Sequence, residues 1–117
     1  MVNANVQKYW EYGQLNLAAT TSIYEVTKLR GGESITIRAL AGNSGNVYIG
    51  SDKLLSTTNG FELDSSETVT LTLPITFGAD NFIEIYAVTD NAGDDVCWVK
   101  LIDLFPLTEA SSTTPAA

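Results

Sequence analysis

The stretch from Thr68 to Leu73 alternates a threonine with an aliphatic residue at every step. In an extended strand, Val69, Leu71 and Leu73 therefore lie on one face and the three threonines lie on the other. Pro74 follows directly and ends the strand, because it has no main-chain N–H to donate. A period of two residues does not fit a helix, so this stretch predicts a β-strand with one buried face.

The same alternation recurs along the chain. Ile35, Ile37 and Ala39 alternate with Thr36 and Arg38, which predicts a second strand with its aliphatic side chains inward. Turn-forming residues interrupt these runs about every 8–12 residues. Further predicted strands lie at residues 22–29, 46–49, 61–63, 82–88 and 96–104.

Glycines mark the turns in the middle of the chain. Gly45 and Gly50 bracket the short strand at residues 46–49. Asn59-Gly60 predicts a tight turn with positive φ, because both residue types tolerate that conformation. Phe61 then begins the next strand.

About seven or eight short strands at this spacing are typical of an antiparallel β-sandwich or a jelly-roll-like barrel. At 117 residues the chain is long enough for one domain. We assign the β-domain to residues 23–105. Residues 1–22 lack clean periodicity and are predicted to form an N-terminal arm. Residues 106–117, rich in Ser, Thr, Ala and Pro, are predicted to be a flexible or partner-bound C-terminal tail.

The charge of the chain restricts its partners. The formal net charge is −8 and the pI is about 4.1. Nucleic acid and anionic membrane surfaces attract basic proteins, so neither is expected as a partner. No apolar run approaches the length of a membrane span, and the N-terminal residues lack the apolar core of a signal peptide. We expect a soluble protein.

The chain offers little for catalysis. It contains no histidine, and its one cysteine, Cys97, lies in a predicted strand where a buried, inert thiol is expected. Asp90, Asp94 and Asp95 share one turn that could hold calcium, but their spacing is not that of an EF-hand loop, and a solvated turn is favoured. The sequence predicts no catalytic residue, no cofactor and no metal site.

The aromatic residues allow two interpretations. Tyr9, Trp10 and Tyr12 either cover one end of the core or dock on a neighbouring subunit, since Tyr and Trp contribute much of the energy at interfaces. Trp98 either belongs to the core, which mid-strand placement favours, or serves as a platform on which a sugar stacks.

The order of motifs between residues 33 and 100 resembles that of small β-sandwich virion proteins of tailed bacteriophages. Proteins of this kind serve as capsid decoration, or cement, proteins or as modules of tails and fibres. The motifs that carry the resemblance are Ile-Thr-Ile-Arg-Ala-Leu (35–40), Gly-Asn-Val-Tyr-Ile-Gly (45–50), Asn-Gly-Phe-Glu-Leu (59–63), Glu-Thr-Val-Thr-Leu (67–71), Ile-Tyr-Ala (85–87) and Val-Cys-Trp-Val (96–99).

The resemblance implies a mechanical function. A decoration protein bridges neighbouring subunits of the major capsid protein, usually as a homotrimer, on the surface of a virion assembled in the host cytoplasm. The alternative is a carbohydrate- or receptor-binding module of a phage tail, fibre or adhesin, with Trp98, or Tyr48 beside Asn46, as its platform. The candidate partner-contact residues are Tyr9, Trp10, Tyr12, Phe105, Pro106 and Leu107.

Overall fold

The computed structural model describes residues 10–102. Within this range eight strands and one turn of 3₁₀ helix are present, so the fold is all-β, as the alternation predicts. The strands are β1 (Trp10–Leu17), β2 (Tyr24–Arg30), β3 (Ser34–Ala39), β4 (Val47–Gly50), β5 (Phe61–Leu63), β6 (Thr68–Thr72), β7 (Phe82–Thr89) and β8 (Asp94–Leu101); the 3₁₀ turn spans Ile75–Phe77.

The strands form two four-stranded sheets that pack face to face. The first sheet has the order β1-β8-β3-β6 and the second has the order β2-β7-β4-β5, and every pair is antiparallel. All connections except the β4–β5 hairpin cross from one sheet to the other. The two packed sheets confirm the predicted all-β sandwich, and their strand order is that of an eight-stranded jelly roll.

The core lies between the sheets and is filled by the inward residues of each alternating strand. The inward set predicted for β3 is confirmed, since Ile35, Ile37 and Ala39 are buried, and Ile85 and Ala87 of β7 are buried with them. The largest core cluster comprises Leu17, Val26, Leu29, Ile35, Ile37, Ala39, Val47, Ile49, Leu63, Ile85, Ala87 and Val96.

Strand β2 departs from the alternation expected for it. The pairing register with β7 shifts between Glu25 and Thr27, which marks a β-bulge. As a result Val26 and Leu29, three residues apart, both face the core. Simple alternation places them on opposite faces, because it does not allow for the extra residue of the bulge.

The structure places residues 10–17 in strand β1, inside the range predicted as an N-terminal arm. This strand pairs with β8 along its whole length. Its inward residues are Glu11, Gly13, Leu15 and Leu17, and a glycine and a glutamate in that set hide the period of two. The boundary predicted between residues 105 and 106 lies outside the described residues.

The turn predicted at Asn59-Gly60 is present, since the main-chain N–H groups of both residues donate to the oxygen of Ser56. Among residues 10–102, positive φ is found only at Ser66, Gly32, Gly78 and Gly93, so this turn forms without the positive φ expected for it. Gly60 is instead required by packing. A Cβ at Gly60 would lie 2.6 Å from Leu55 Cδ1. Residues 51–60 form a covering loop that lays Leu55 over the outer face of the second sheet.

Candidate docking face of the first sheet

The outer face of the first sheet carries exposed apolar side chains where β1 and β8 pair. Trp10 lies opposite Leu101, and Tyr12 lies opposite Val99. Alternation places all four on the side away from the core. Trp10 is 51% exposed, Tyr12 71% and Leu101 55%. We call these four residues the apolar strip.

The two aromatic rings of the strip contact each other. The ring centroids of Trp10 and Tyr12 are 5.2 Å apart, and the planes are tilted by 40°. This separation is within the range of favourable aromatic pairs. The pair therefore presents a contiguous aromatic surface to solvent.

Hydroxyl side chains cover the same face on the side of β3 and β6. Ser34 and Thr72 continue the row that begins at Leu101. Thr36 and Thr70 continue the row of Tyr12, and their Oγ1 atoms are 2.9 Å apart. The face is therefore apolar at one edge and carries short hydroxyls at the other, without long side chains in these two rows.

An ion-pair group beneath the strip fixes the end of the sheet. Lys100 is buried, and its Nζ lies 3.7 Å from Glu11 Oε1 and 3.7 Å from Glu33 Oε1. The same Nζ donates a hydrogen bond to the main-chain oxygen of Lys28, 2.9 Å away, which ties β8 to the second sheet. Removal of one partner from such a group is costly, because it leaves a buried charge uncompensated.

The other end of β1 is held by Asn16. Its Nδ2 donates to the main-chain oxygen of Gly93 at 3.0 Å and to Asp95 Oδ1 at 2.8 Å. The main-chain N–H of Gly93 donates in turn to the oxygen of Leu17. The strip thus lies on a strand that is fixed at both ends.

Cys97 lies on this outer face, half-buried, and forms no disulfide. The expectation of a buried thiol is wrong. Because β8 has apolar residues on both faces, the sequence does not indicate which of its residues face the core. Its neighbours across the sheet are Gln14 and Arg38. The thiol therefore offers a natural point for chemical labelling close to the apolar strip.

Asp94 joins the β7–β8 turn to the connection between β3 and β4. Its side chain accepts hydrogen bonds from the main-chain N–H groups of Ser44 and Gly45, each at 3.0 Å, from Asn91 Nδ2 at 3.0 Å and from the Thr89 hydroxyl at 3.3 Å. Burial by itself raises the pKa of this carboxyl, but the hydrogen bonds outweigh it and hold the pKa below its ordinary value.

The acidic turn has a structural role in the described part of the chain. Asp90 Oδ1 accepts the main-chain N–H of Asn46 at 2.8 Å, and Asp94 is occupied as described above. Among residues 10–102 no group of three acidic or cysteine side chains is arranged to hold a metal ion.

The two platforms expected for a sugar have other contacts. Trp98 faces inward and packs against the core, as mid-strand placement predicts, and its ring lies so close to Gly13 that an added Cβ would approach it to 3.0 Å. The Tyr48 hydroxyl donates to Asp90 Oδ2 at 3.3 Å, and burial and the nearby Asp90 charge raise its pKa. Asn46 donates its side-chain amide to Glu62.

The structure brings together only part of the predicted contact set. Trp10 and Tyr12 lie side by side on the apolar strip, as neighbouring outward residues of one strand. Val99 and Leu101 complete the strip and were not predicted, since a strand with apolar residues on both faces does not reveal which face is the outer one. Four predicted contact residues lie outside the described residues: Tyr9, Phe105, Pro106 and Leu107.

Between residues 10 and 102, no helix has the length and apolar character needed to cross a membrane. Comparisons with protein-family models, with curated proteins and with solved structures found no match to this chain.

Proposed function

We propose that this chain is a structural virion protein that decorates a capsid, docking on the major capsid protein through the apolar strip. The observation that supports this function is the exposure of the strip on a rigid, open sheet face. An aromatic pair with aliphatic neighbours is the usual composition of an interface centre, where Tyr and Trp contribute most of the binding energy. The jelly roll supports the proposal only at the level of fold, since the same architecture occurs in capsid and lectin domains.

Many copies strengthen a modest contact. The strip is small, so one copy of the face provides less buried area than a standard stable interface requires. In a homotrimer, three strips can lie on neighbouring shell subunits. Once the first strip has bound, the second and third contacts form within one complex, which raises the overall affinity. The net charge of −8 further favours a shell surface that carries basic residues around the apolar contact.

The test is the amount of this chain in purified particles, measured by quantitative mass spectrometry relative to the major shell protein. A decoration role requires copy numbers comparable to the number of shell subunits or trimers. Stripped particles should also rebind added protein in a sedimentation assay and regain resistance to heat. A content of a few copies per particle, or none, would contradict the proposal.

Substitutions in the apolar strip test whether the strip makes the contact with the shell. We expect Trp10→Ala with Tyr12→Ala to abolish rebinding, whereas Phe82→Ala should leave it unchanged. Phe82 is a matched control because it is an exposed aromatic, 44% accessible, on the outer face of the other sheet. Alkylation of Cys97 should slow several-fold on docking, since the thiol lies beside the buried contact.

The second candidate is a carbohydrate- or receptor-binding module. One observation favours it: Trp10 and Tyr12 share the outer face of β1 with two amide side chains, Gln14 and Asn16. Aromatic rings beside amides are suited to stack on and hydrogen-bond a sugar. A glycan array would show binding that is lost in Trp10→Ala, with no affinity for shells, if this candidate is correct.

A further inference from the structure

The sandwich has an open cleft along the side where β5 and β6 meet. Its volume is about 390 Å³, within the range of roughly 300–1,000 Å³ found for ligand pockets. We call it the side cleft. None of the described residues that line it is charged, and its apolar lining includes Leu29, Phe61, Val69, Leu71, Ile83 and Ile85.

The cleft lies between two edge strands of different length. β6 spans five residues, whereas β5 spans three. By alternation along β5, Phe61 points to the same side as the buried Leu63, but it is 59% exposed. Val69 and Leu71 of β6 are only half-buried. Inward-facing apolar side chains therefore remain partly in contact with solvent, at a cost of about 25 cal/mol for each Å².

The described chain ends close to this cleft. Leu101, Ser34 and Thr72 lie in one row across β8, β3 and β6, and Thr72 lines the cleft. Two interstrand spacings correspond to about 10 Å. Leu101, near the end of the described residues, is therefore about two strand spacings from a residue that lines the cleft.

The sequence that follows is suited to the cleft. Residues 103–117 contain three large apolar side chains, Leu104, Phe105 and Leu107, within four positions, and none later. Phe105 and Leu107 come four and six residues after Leu101, so an extended chain can carry them roughly 13 and 20 Å from it. Pro106 favours an extended conformation at Phe105, which lowers the entropy lost on binding.

We propose that the side cleft is the binding site for residues 104–107 of its own chain, with Phe105 and Leu107 against Val69 and Leu71. The match is between an uncharged, aliphatic cleft and an uncharged, apolar segment that starts within reach of it. On this proposal, residues 104–107 contact their own chain and not, as was expected from the sequence, the shell. The proposal does not depend on the role of the apolar strip.

The experiment uses the full chain with methyl-labelled Val, Leu and Ile, and reads nuclear Overhauser effects between the Phe105 ring and the methyl groups of Val69 and Leu71. We expect these effects within one molecule. A sample mixed from labelled and unlabelled chains separates contacts within a chain from contacts between copies. Effects seen only between copies would overturn the proposal in favour of an exchanged segment.

Dye binding gives a second measurement. Phe105→Ser with Leu107→Ser should increase the fluorescence of bound anilinonaphthalene sulfonate several-fold, because the cleft becomes accessible. The control, Thr113→Ser with Thr114→Ser, changes two residues outside the 104–107 segment but in the same C-terminal part of the chain, and it should leave the dye signal unchanged. Equal dye binding by all three proteins, together with no ring–methyl effect, would show that the segment does not bind the cleft.

Discussion

The outer faces of the two sheets differ in whether their apolar side chains are covered by the rest of the chain. Each carries apolar side chains on the side away from the core. On the second sheet, Tyr86 and Val88 are covered by Leu55 from the covering loop, and all three are buried. On the first sheet, Trp10 and Leu101 are covered by nothing in residues 10–102.

The difference is that the chain covers one apolar outer face with its own loop and leaves the other exposed within the described residues. Closing the second sheet requires glycines on both sides of Leu55, since a Cβ at Gly50 or Gly60 would lie 2.7 or 2.6 Å from Leu55 Cδ1. The loop is also tied to itself, with the Asn59 side chain bonded to the main chain of Leu54 and Ser56. The apolar strip is covered by no such loop in the described range, which supports its assignment as a docking face.

The largest effect is expected when the cover of the second sheet is removed. Leu55→Ala should lower the free energy of unfolding by about 2–4 kcal/mol, because it creates a cavity over Tyr86 and Val88. The matched control is the neighbouring Leu54→Ala. Leu54 is 81% exposed and Leu55 is 6% exposed, so the control should change stability by less than about 0.5 kcal/mol. Urea denaturation of both variants measures the contrast, and equal losses would contradict the described role of the loop.

A change at Asp94 should destabilise both faces together, because this residue of the first sheet bonds the loop that leads into the second. Asp94→Asn should cost about 1–3 kcal/mol at neutral pH, as the amide cannot accept all four hydrogen bonds. The pKa of Asp94 is lowered from 3.8 in the folded protein. Its contribution is therefore complete above the unfolded pKa and is lost as the pH falls through the folded pKa.

Chemical denaturation across the acid range checks this prediction. The wild-type protein should lose more stability than Asp94→Asn as the pH falls below about 4. Identical acid profiles would show that Asp94 is not the group that titrates. Hydrogen exchange should report faster opening of strands in both sheets, in contrast to Leu55→Ala, whose effect should concentrate around the second sheet.

Changes in the apolar strip should have a smaller effect on stability. Trp10→Ala and Tyr12→Ala each remove a side chain that is at least half exposed, so each should cost less than about 1 kcal/mol. The double variant should be less destabilised than the sum of the singles by roughly 0.5 kcal/mol, since the ring contact is counted twice in that sum. A loss as large as that of Leu55→Ala would mean that the strip supports the fold and is not free for docking.

Sequence reasoning reached the fold because the strands obey a simple rule. In β3 and β6 the inward residues are aliphatic and the outward ones are polar, so a period of two identifies both the strand and its buried face. The acidic turn was also interpreted correctly as a turn, although its role in holding Ser44 and Gly45 was not foreseen.

The rule fails where a strand is apolar or mixed on both faces. β1 places Gly13 inward and Trp10 outward, and β8 has apolar residues on each side, so neither reveals its orientation. The apolar strip is built from these two strands. It breaks the alternating pattern, since its exposed side chains are apolar where solvent would favour polar ones.

The smallest expected effect concerns Tyr86, beneath the covering loop. Its hydroxyl donates to Glu84 Oε1 at 2.7 Å, and this bond, together with burial and the charge of Glu84, raises the pKa of Tyr86 from 10.0 to about 12. A raised pKa gives a contribution to stability that is present below pH 10 and is lost as the pH rises toward 12. Tyr86→Phe should therefore flatten the alkaline decline in stability. Ultraviolet difference titration of the wild type and of Leu55→Ala measures the midpoint at which Tyr86 ionises. If the covering loop protects Tyr86, the substitution should move this midpoint toward the ordinary value. An unchanged midpoint would assign the shift to the Glu84 bond alone.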